Sequence, residues 1–174
     1  VSGMKEFSWL LIKQPYKRDP KQNAVIRNLK SLTYLTGQQY RVEFKIKTED
    51  NTDVFEKYKI KNDEKVIAFV PFSRGKTKNW NVQNYLKLAG MIKKYDDVKI
   101  IVLGSKNDYG KLRSKYTVDL CGRTDISGLA DILKRCACVV GGDTGPMHLA
   151  NAIGIKSLFI FGGSDINETA PYGG

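Results

Sequence analysis

From Lys65 to the end of the 174-residue chain, short β-rich apolar runs alternate with stretches of helical period, and nothing else in the sequence restricts the fold so strongly. Strands buried on both faces of a sheet read as continuous apolar runs, and parallel neighbours need a long crossover between them. The alternation therefore predicts βαβ units around a parallel sheet. The expected strands are Val66–Pro71, Lys99–Leu103, Val118–Leu120, Cys138–Gly141 and Ser157–Phe161. Between the first two, Val82, Tyr85, Leu86, Leu88, Ala89 and Ile92 recur at helical spacing behind Asn81, a residue suited to an N-cap. Later crossovers are expected as helices over Asp108–Lys115, over Ile126–Lys134 behind Asp125, and over Gly145–Ile153 closed by Gly154. Five strands and four crossovers make an α/β, Rossmann-like parallel sheet with helices on both faces.

The first 64 residues break that rhythm. Asp19-Pro20 offers a cap and a first-turn proline, after which Val25, Ile26, Leu29, Leu32 and Leu35 share a helical face until Gly37. Arg41–Lys47 alternates, with Val42, Phe44 and Ile46 set among four charged neighbours, as a half-buried strand or extended edge does. Thr52–Ile60 reads as a short helix. These pieces carry apolar faces that need covering but cannot build a sheet domain. Residues 1–64 are therefore expected to be the remnant of a preceding domain with its linker, and residues 65–174 the sheet domain.

Composition removes several classes of function. With 41% hydrophobic and 27% charged residues, the chain is no disordered polyelectrolyte. Its nearest candidate for a membrane span, Phe7–Ile12, is far shorter than the roughly 20 residues a spanning helix needs. Val1-Ser2-Gly3-Met4 shows no secretory-leader order. Cys121, Cys136 and Cys138 with a lone His148 lack zinc-site spacing, so reduced thiols and no metal are expected. The net charge of +11 invites a nucleic-acid or membrane partner. Residues 1–65 hold 14 basic and 9 acidic side chains, and the rest hold 15 and 9, so the excess is spread. Without a recognition module or a basic stripe, nucleic acid is not an expected partner.

Three loops that follow strands carry the candidate chemistry. In the run from Val139 to Ala150 an apolar strand ends in Gly141-Gly142, Asp143 and Thr144 can cap the next helix, Gly145 allows close approach, and Pro146 presets the first turn. An exposed helix N-terminus at the carboxyl edge of a sheet is a seat for a phosphate or diphosphate. His148, the only histidine, lies in that first turn. The loop Phe72–Trp80 is cationic around Gly75, so Ser73 and either Lys76 or Lys78 are candidates to neutralise phosphate, with Trp80 expected to pack. In the third loop, Gly104–Asp108, the Asp108 carboxylate is suited either to a ribose or to capping a helix. No dinucleotide or P-loop glycine motif appears, and no DxD-like pair.

The block Gly142-Asp143-Thr144-Gly145-Pro146-Met147-His148-Leu149-Ala150-Asn151-Ala152-Ile153-Gly154, with Leu158–Gly162 and Pro171-Tyr172-Gly173 after it, resembles the ADP-heptose:lipopolysaccharide heptosyltransferase family. Pro71–Trp80, Leu103-Gly104 and Cys121-Gly122-Arg123-Thr124 add to the likeness, which is strong over residues 66–173 and faint over 20–60. The resemblance implies a two-domain GT-B fold whose carboxyl-terminal half binds the nucleotide-sugar donor. By position, Asp143, Thr144, Gly145 and His148 match the family's diphosphate and sugar contacts. Lys78 matches a phosphate-binding lysine, Ser73 a neighbouring hydroxyl, Asp108 an acidic residue on the ribose, and Thr124 the lining of the adenine. The family's general base is an aspartate early in the amino-terminal domain, a segment not seen in this sequence. Asp19 is better explained as a cap, so no catalytic residue is assigned here. Residues 1–64 then read as part of the acceptor domain, and 65–174 as a donor domain cut short at its carboxyl end.

The expectation is an inverting, metal-independent transfer of a heptose or related sugar from an ADP-sugar to the lipopolysaccharide inner core. No cofactor is expected beyond the donor, and the location is cytoplasmic, with peripheral contact at the inner face of the inner membrane. The alternatives are a GT-B enzyme using a UDP-sugar and a nucleotide-binding module without catalysis.

Overall fold

The computed structural model describes Asp19, residues 21–48 and residues 53–173. Phe7–Ile12, Pro20 and Thr52 lie outside the described residues, as does the Lys76 side chain. Five strands, β1 (Val66–Val70), β2 (Lys99–Val102), β3 (Thr117–Asp119), β4 (Cys138–Gly142) and β5 (Ser157–Ile160), form one sheet. The helices are α1 (Ala24–Thr36), α2 (Asp53–Lys57), α3 (Val82–Tyr95), α4 (Ile126–Lys134), α5 (Gly145–Ala152) and α6 (Ile166–Thr169). The sheet is parallel throughout in the order β3-β2-β1-β4-β5, with Phe69 of β1 opposite Val102 on one side and Val140 on the other. The order reverses between β1 and β4, and a crevice opens at such a switch point beyond the carboxyl ends of the strands.

The period of two along each strand builds two cores. Ala68, Val70, Ile101 and Val139 pack with Phe55 of α2, Ile132 and Leu133 of α4, and Met147 and Ala150 of α5. Phe69, Ile100, Val102 and Val140 face the opposite side, against Tyr85 and Ala89 of α3. Helices thus cover both faces, which is why these strands read as unbroken apolar runs rather than alternating ones. The helices start where their caps dictate: Asn81 accepts the Gln83 N–H at 2.9 Å and Asp125 the Gly128 N–H at 2.8 Å. Gly154, at φ +81°, turns the chain left-handed after α5.

Three expectations are corrected. The β2–β3 crossover is not a helix over Asp108–Lys115; it is a single 3-10 turn at Lys106–Asp108 followed by turns. Leu112 is the one fully buried side chain of that stretch, and Gly110 takes φ +83°, so there is neither an apolar face nor a helical backbone to propagate. Arg41–Lys47 pairs with no strand among the described residues. Among the described residues no strand lies beside it to form a ladder, and a run outside any ladder stays irregular. The cap of α1 is Asn23, which accepts the Val25 N–H at 3.0 Å, whereas the Asp19 carboxylate accepts the Lys21 N–H in the turn before it. Gly37, at φ +72°, ends α1 as expected.

The described residues fall into two compact units, one within Val1–Glu43 with Asp165–Gly174 and one within Phe44–Ser164. In the first, α1 is joined to the chain's last segment by an Arg27–Glu168 ion pair at 3.0 Å and by the Asn23 amide donating to the Ala170 carbonyl at 2.8 Å. The second holds the sheet and all the loops considered next. No helix among the described residues is long and apolar enough to cross a membrane.

Candidate functional site

Strand β4 ends in two glycines because its neighbours leave no room for a side chain. A Cβ on Gly141 would lie 2.6 Å from the Val70 carbonyl oxygen and 2.8 Å from Met147 Sδ. One on Gly142 would lie 2.9 Å from the Lys78 carbonyl oxygen. The end of β1, the start of α5 and the loop after β1 therefore close around the strand end and deliver Asp143 into their midst.

Asp143 is buried, at 8% exposure, and its two oxygens collect three donors. Lys78 Nζ donates to Oδ2 at 2.6 Å, the Ser164 hydroxyl donates to the same oxygen at 2.7 Å, and His148 Nε2 lies 2.9 Å from Oδ1. Burial alone would raise the carboxyl pKa, but the bonds from Lys78, Ser164 and His148 outweigh it and hold the group down to about 2. Asp143 is thus an anion at neutral pH that fixes a lysine and a histidine. The sequence reading of Asp143 and Thr144 as caps of α5 holds by position for Thr144 and not for Asp143, whose oxygens go to Lys78, Ser164 and His148. Thr144 occupies the cap position with extended backbone, yet its hydroxyl bonds no helix N–H and is buried without a partner.

Around this hub a cavity of about 800 Å³ opens at the carboxyl ends of four strands. Val70, Leu103, Leu120 and Leu129 give it an apolar floor, while Lys78, Thr144 and Gly145 stand at the β1/β4 junction. Beyond its chain neighbours and its own helix backbone, a Cβ on Gly145 would meet nothing within 4 Å, so the mouth of α5 is open at this position. The amide end of α5 then faces the cavity with the favourable sign for an anion.

Ser73, Lys78, Asp108, Thr124, Asp143, Thr144 and Gly145 all line this one cavity, although they span 73 residues of sequence. His148 does not line it; the histidine reaches the site through Asp143 and packs 5.4 Å from the Phe159 ring. The Ser73 hydroxyl lies 2.8 Å from the Gly75 carbonyl and 2.7 Å from Asn79 Oδ1, which folds the cationic loop back on itself. Asp108 accepts the Lys111 ammonium at 2.7 Å and both the backbone N–H and the hydroxyl of Ser105. Burial opposes its ionisation, and the bonds from Lys111 and Ser105 prevail, so its pKa lies below the ordinary carboxyl value. It therefore closes a turn and lines the cavity at once. Trp80 packs edge-on against Tyr85 at 5.0 Å and stays out of the cavity, as expected.

Sequence reasoning missed Ser164. The available signal was Gly162-Gly163 directly after a strand, a pair that permits close backbone approach in the same way as Gly141-Gly142.

Comparison with known proteins agrees with the fold. A lipooligosaccharide heptosyltransferase 2 of Campylobacter jejuni is 25% identical over 122 residues, which cover 65% of this chain and 39% of that protein. A family 9 glycosyltransferase of Veillonella parvula superposes with a TM-score of 0.80 at 20% identity, covering 98% of this chain and 53% of that one. An E. coli heptosyltransferase solved with ADP superposes with a TM-score of 0.69 at 18% identity, covering 94% and 52%. The chain therefore spans about two fifths of that curated relative and about half of those solved structures. The sequence pattern of glycosyltransferase family 9 (heptosyltransferase) matches residues 2–174, and the chain belongs to that family.

Proposed function

We propose that this chain is the donor-binding half of an inverting, metal-independent glycosyltransferase that moves a heptose or related sugar from an ADP-sugar to the lipopolysaccharide inner core. One observation carries the reading: at the switch point of the sheet, an ammonium, an open helix N-terminus and an unpartnered hydroxyl share one wall of a cavity of about 800 Å³. A leaving nucleoside diphosphate develops negative charge as the glycosidic bond breaks, and Lys78, Thr144 and the amide end of α5 would stabilise that charge in place. Lys78 keeps two N–H groups for phosphate after donating one to Asp143. Asp108 and Thr124 would hold the ribose and the base further along the cavity. The E. coli heptosyltransferases solved with ADP and with ADP-2-deoxy-2-fluoro heptose share this fold and support the choice of an ADP-sugar.

None of the three carboxylates lining the cavity suits the role of acceptor base. Asp143 is saturated and held at about 2, Asp108 is spent on Ser105 and Lys111, and Asp125 caps α4. A base must take a proton near neutral pH. We therefore place it outside this cavity, on the acceptor side of the full-length enzyme. Peripheral contact with an anionic membrane surface belongs to the same proposal.

The test is ADP release by the full-length protein with ADP-heptose and a core acceptor, with calorimetry of ADP and UDP beside it. Turnover with ADP-heptose and tighter ADP are expected. No turnover with any ADP-sugar, or clearly tighter UDP, would overturn the assignment.

A further inference from the structure

We propose that Ser164 is a positioning residue for the diphosphate end of the cavity: its hydroxyl holds the Asp143 carboxylate in the orientation from which Asp143 fixes Lys78. The inference rests on the donor-binding reading above, but it concerns a segment to which that reading gave no role. Three contacts converge on it.

First, Ser164 and Lys78 donate to the same oxygen, Asp143 Oδ2, at 2.7 and 2.6 Å, while His148 takes Oδ1. Second, the Gly163 N–H donates to the Thr77 carbonyl at 3.0 Å, which fixes the backbone next to Lys78. Third, the turn reaches Thr77 only because it is glycine. A Cβ on Gly162 would lie 2.5 Å from the Thr77 carbonyl oxygen, and one on Gly163 would lie 2.9 Å from Thr77 Oγ1. Gly162, Gly163 and Ser164, in the turn that follows β5, thus grip the lysine at both ends, its backbone through Thr77 and its ammonium through Asp143.

The physical need for such a grip follows from the torsions involved. The terminal torsion of an aspartate is broad, and a lysine ammonium sits on four rotatable bonds. When an anion enters, it pulls the ammonium toward the cavity, and a carboxylate anchored otherwise only at Oδ1, by His148, would turn about that bond and let Oδ2 follow. A second donor on Oδ2, supplied by a short side chain on a turn that is itself bonded to Thr77, opposes the swing. The ammonium then meets the phosphate from a fixed place, so less ordering remains to be done on binding.

The experiment measures ADP and adenosine binding by calorimetry across pH on the full-length protein, its Ser164→Ala and Ser164→Thr variants, and Lys78→Met. Ser164→Ala is expected to weaken ADP about tenfold, the scale of a lost bond to a charged group, and to leave adenosine within about twofold. Its acid limb for ADP is expected to move to higher pH, because Asp143 has lost a donor that keeps its carboxyl ionised. Ser164→Thr keeps the hydroxyl and is expected to bind ADP as the parent does. Equal losses of ADP and adenosine in both Ser164 variants would mean a general structural role and overturn the proposal. If Lys78→Met loses ADP while Ser164→Ala keeps parental affinity and an unmoved acid limb, the inference fails alone. If the parent binds no nucleoside diphosphate, the donor reading fails and carries this inference with it.

Discussion

At Asp143 the direction of a single pKa shift fixes a pH window. The carboxyl lies at about 2 in the folded protein, below its ordinary value, so its folded-state bonds add stability that is complete above the ordinary carboxyl pKa and vanishes as pH falls through about 2. Asp143→Asn is expected to lower stability by about 1–3 kcal/mol near pH 6, because the amide leaves Lys78 without its anion. The gap between parent and variant should narrow below about pH 4 and close as pH falls through about 2, as read by urea melts across pH; a gap that stays constant down to pH 2 would refute the window. Thr144 gives the opposite signature. Its hydroxyl is buried without a partner, so replacing it removes no bond from the folded protein. Thr144→Val is expected to leave the thermal midpoint unchanged or slightly raised and to weaken ADP about tenfold. A clear loss of stability would show that the hydroxyl serves the fold rather than a ligand.

Among the elements, strands β1 and β4 show how backbone closeness sets a site. Gly141 sits where a methyl group would press on the Val70 carbonyl and Cβ as well as on Met147 Sδ, and the first two cannot move without the sheet. Gly141→Ala should therefore cost about 1–3 kcal/mol, seen as a lower midpoint in denaturant, while Gly145→Ala, with open space around its Cβ, should cost far less. Equal costs at the two positions would contradict the packing account. These same elements show what the sequence makes legible. A central parallel strand is apolar along its whole length, so Val66–Val70 and Cys138–Gly142 are visible in composition alone, and Asn81 and Asp125 announce their helices by cap chemistry. The Asp108–Lys115 stretch reads as a helix because its polar residues fit a helix surface, but Leu112 alone gives it no apolar face to hold one against the sheet. In the site, glycines and strand ends located the loops. Of the partners of Asp143, His148 lies only five residues on, whereas Lys78 and Ser164, 65 and 21 residues away, meet it only when β1, β4 and β5 lie side by side.

For the whole molecule the governing quantity is the net charge of +11 and its even division. Of the basic side chains in the cationic loop, Lys78 is bound to Asp143 and Arg74 lines the cavity, so a diphosphate uses only a small share of the excess. The rest is available to a surface rather than a pocket. Each Lys or Arg near an anionic bilayer contributes about 1 kcal/mol, and that attraction fades beyond a Debye length, about 10 Å at 0.1 M salt. Many weak contacts add to firm binding that no single residue controls. The full-length protein is therefore expected to sediment with vesicles containing phosphatidylglycerol at low salt, to leave them by about 0.5 M salt, and to ignore neutral vesicles. Single Lys→Gln changes on exposed sites such as Lys30, Lys87 or Lys115 should each weaken binding by no more than about fivefold, the equivalent of that 1 kcal/mol. Either binding to neutral vesicles at equal strength, or abolition by one such change, would mean that a localised patch or an apolar anchor, and not the distributed charge, brings the protein to the membrane.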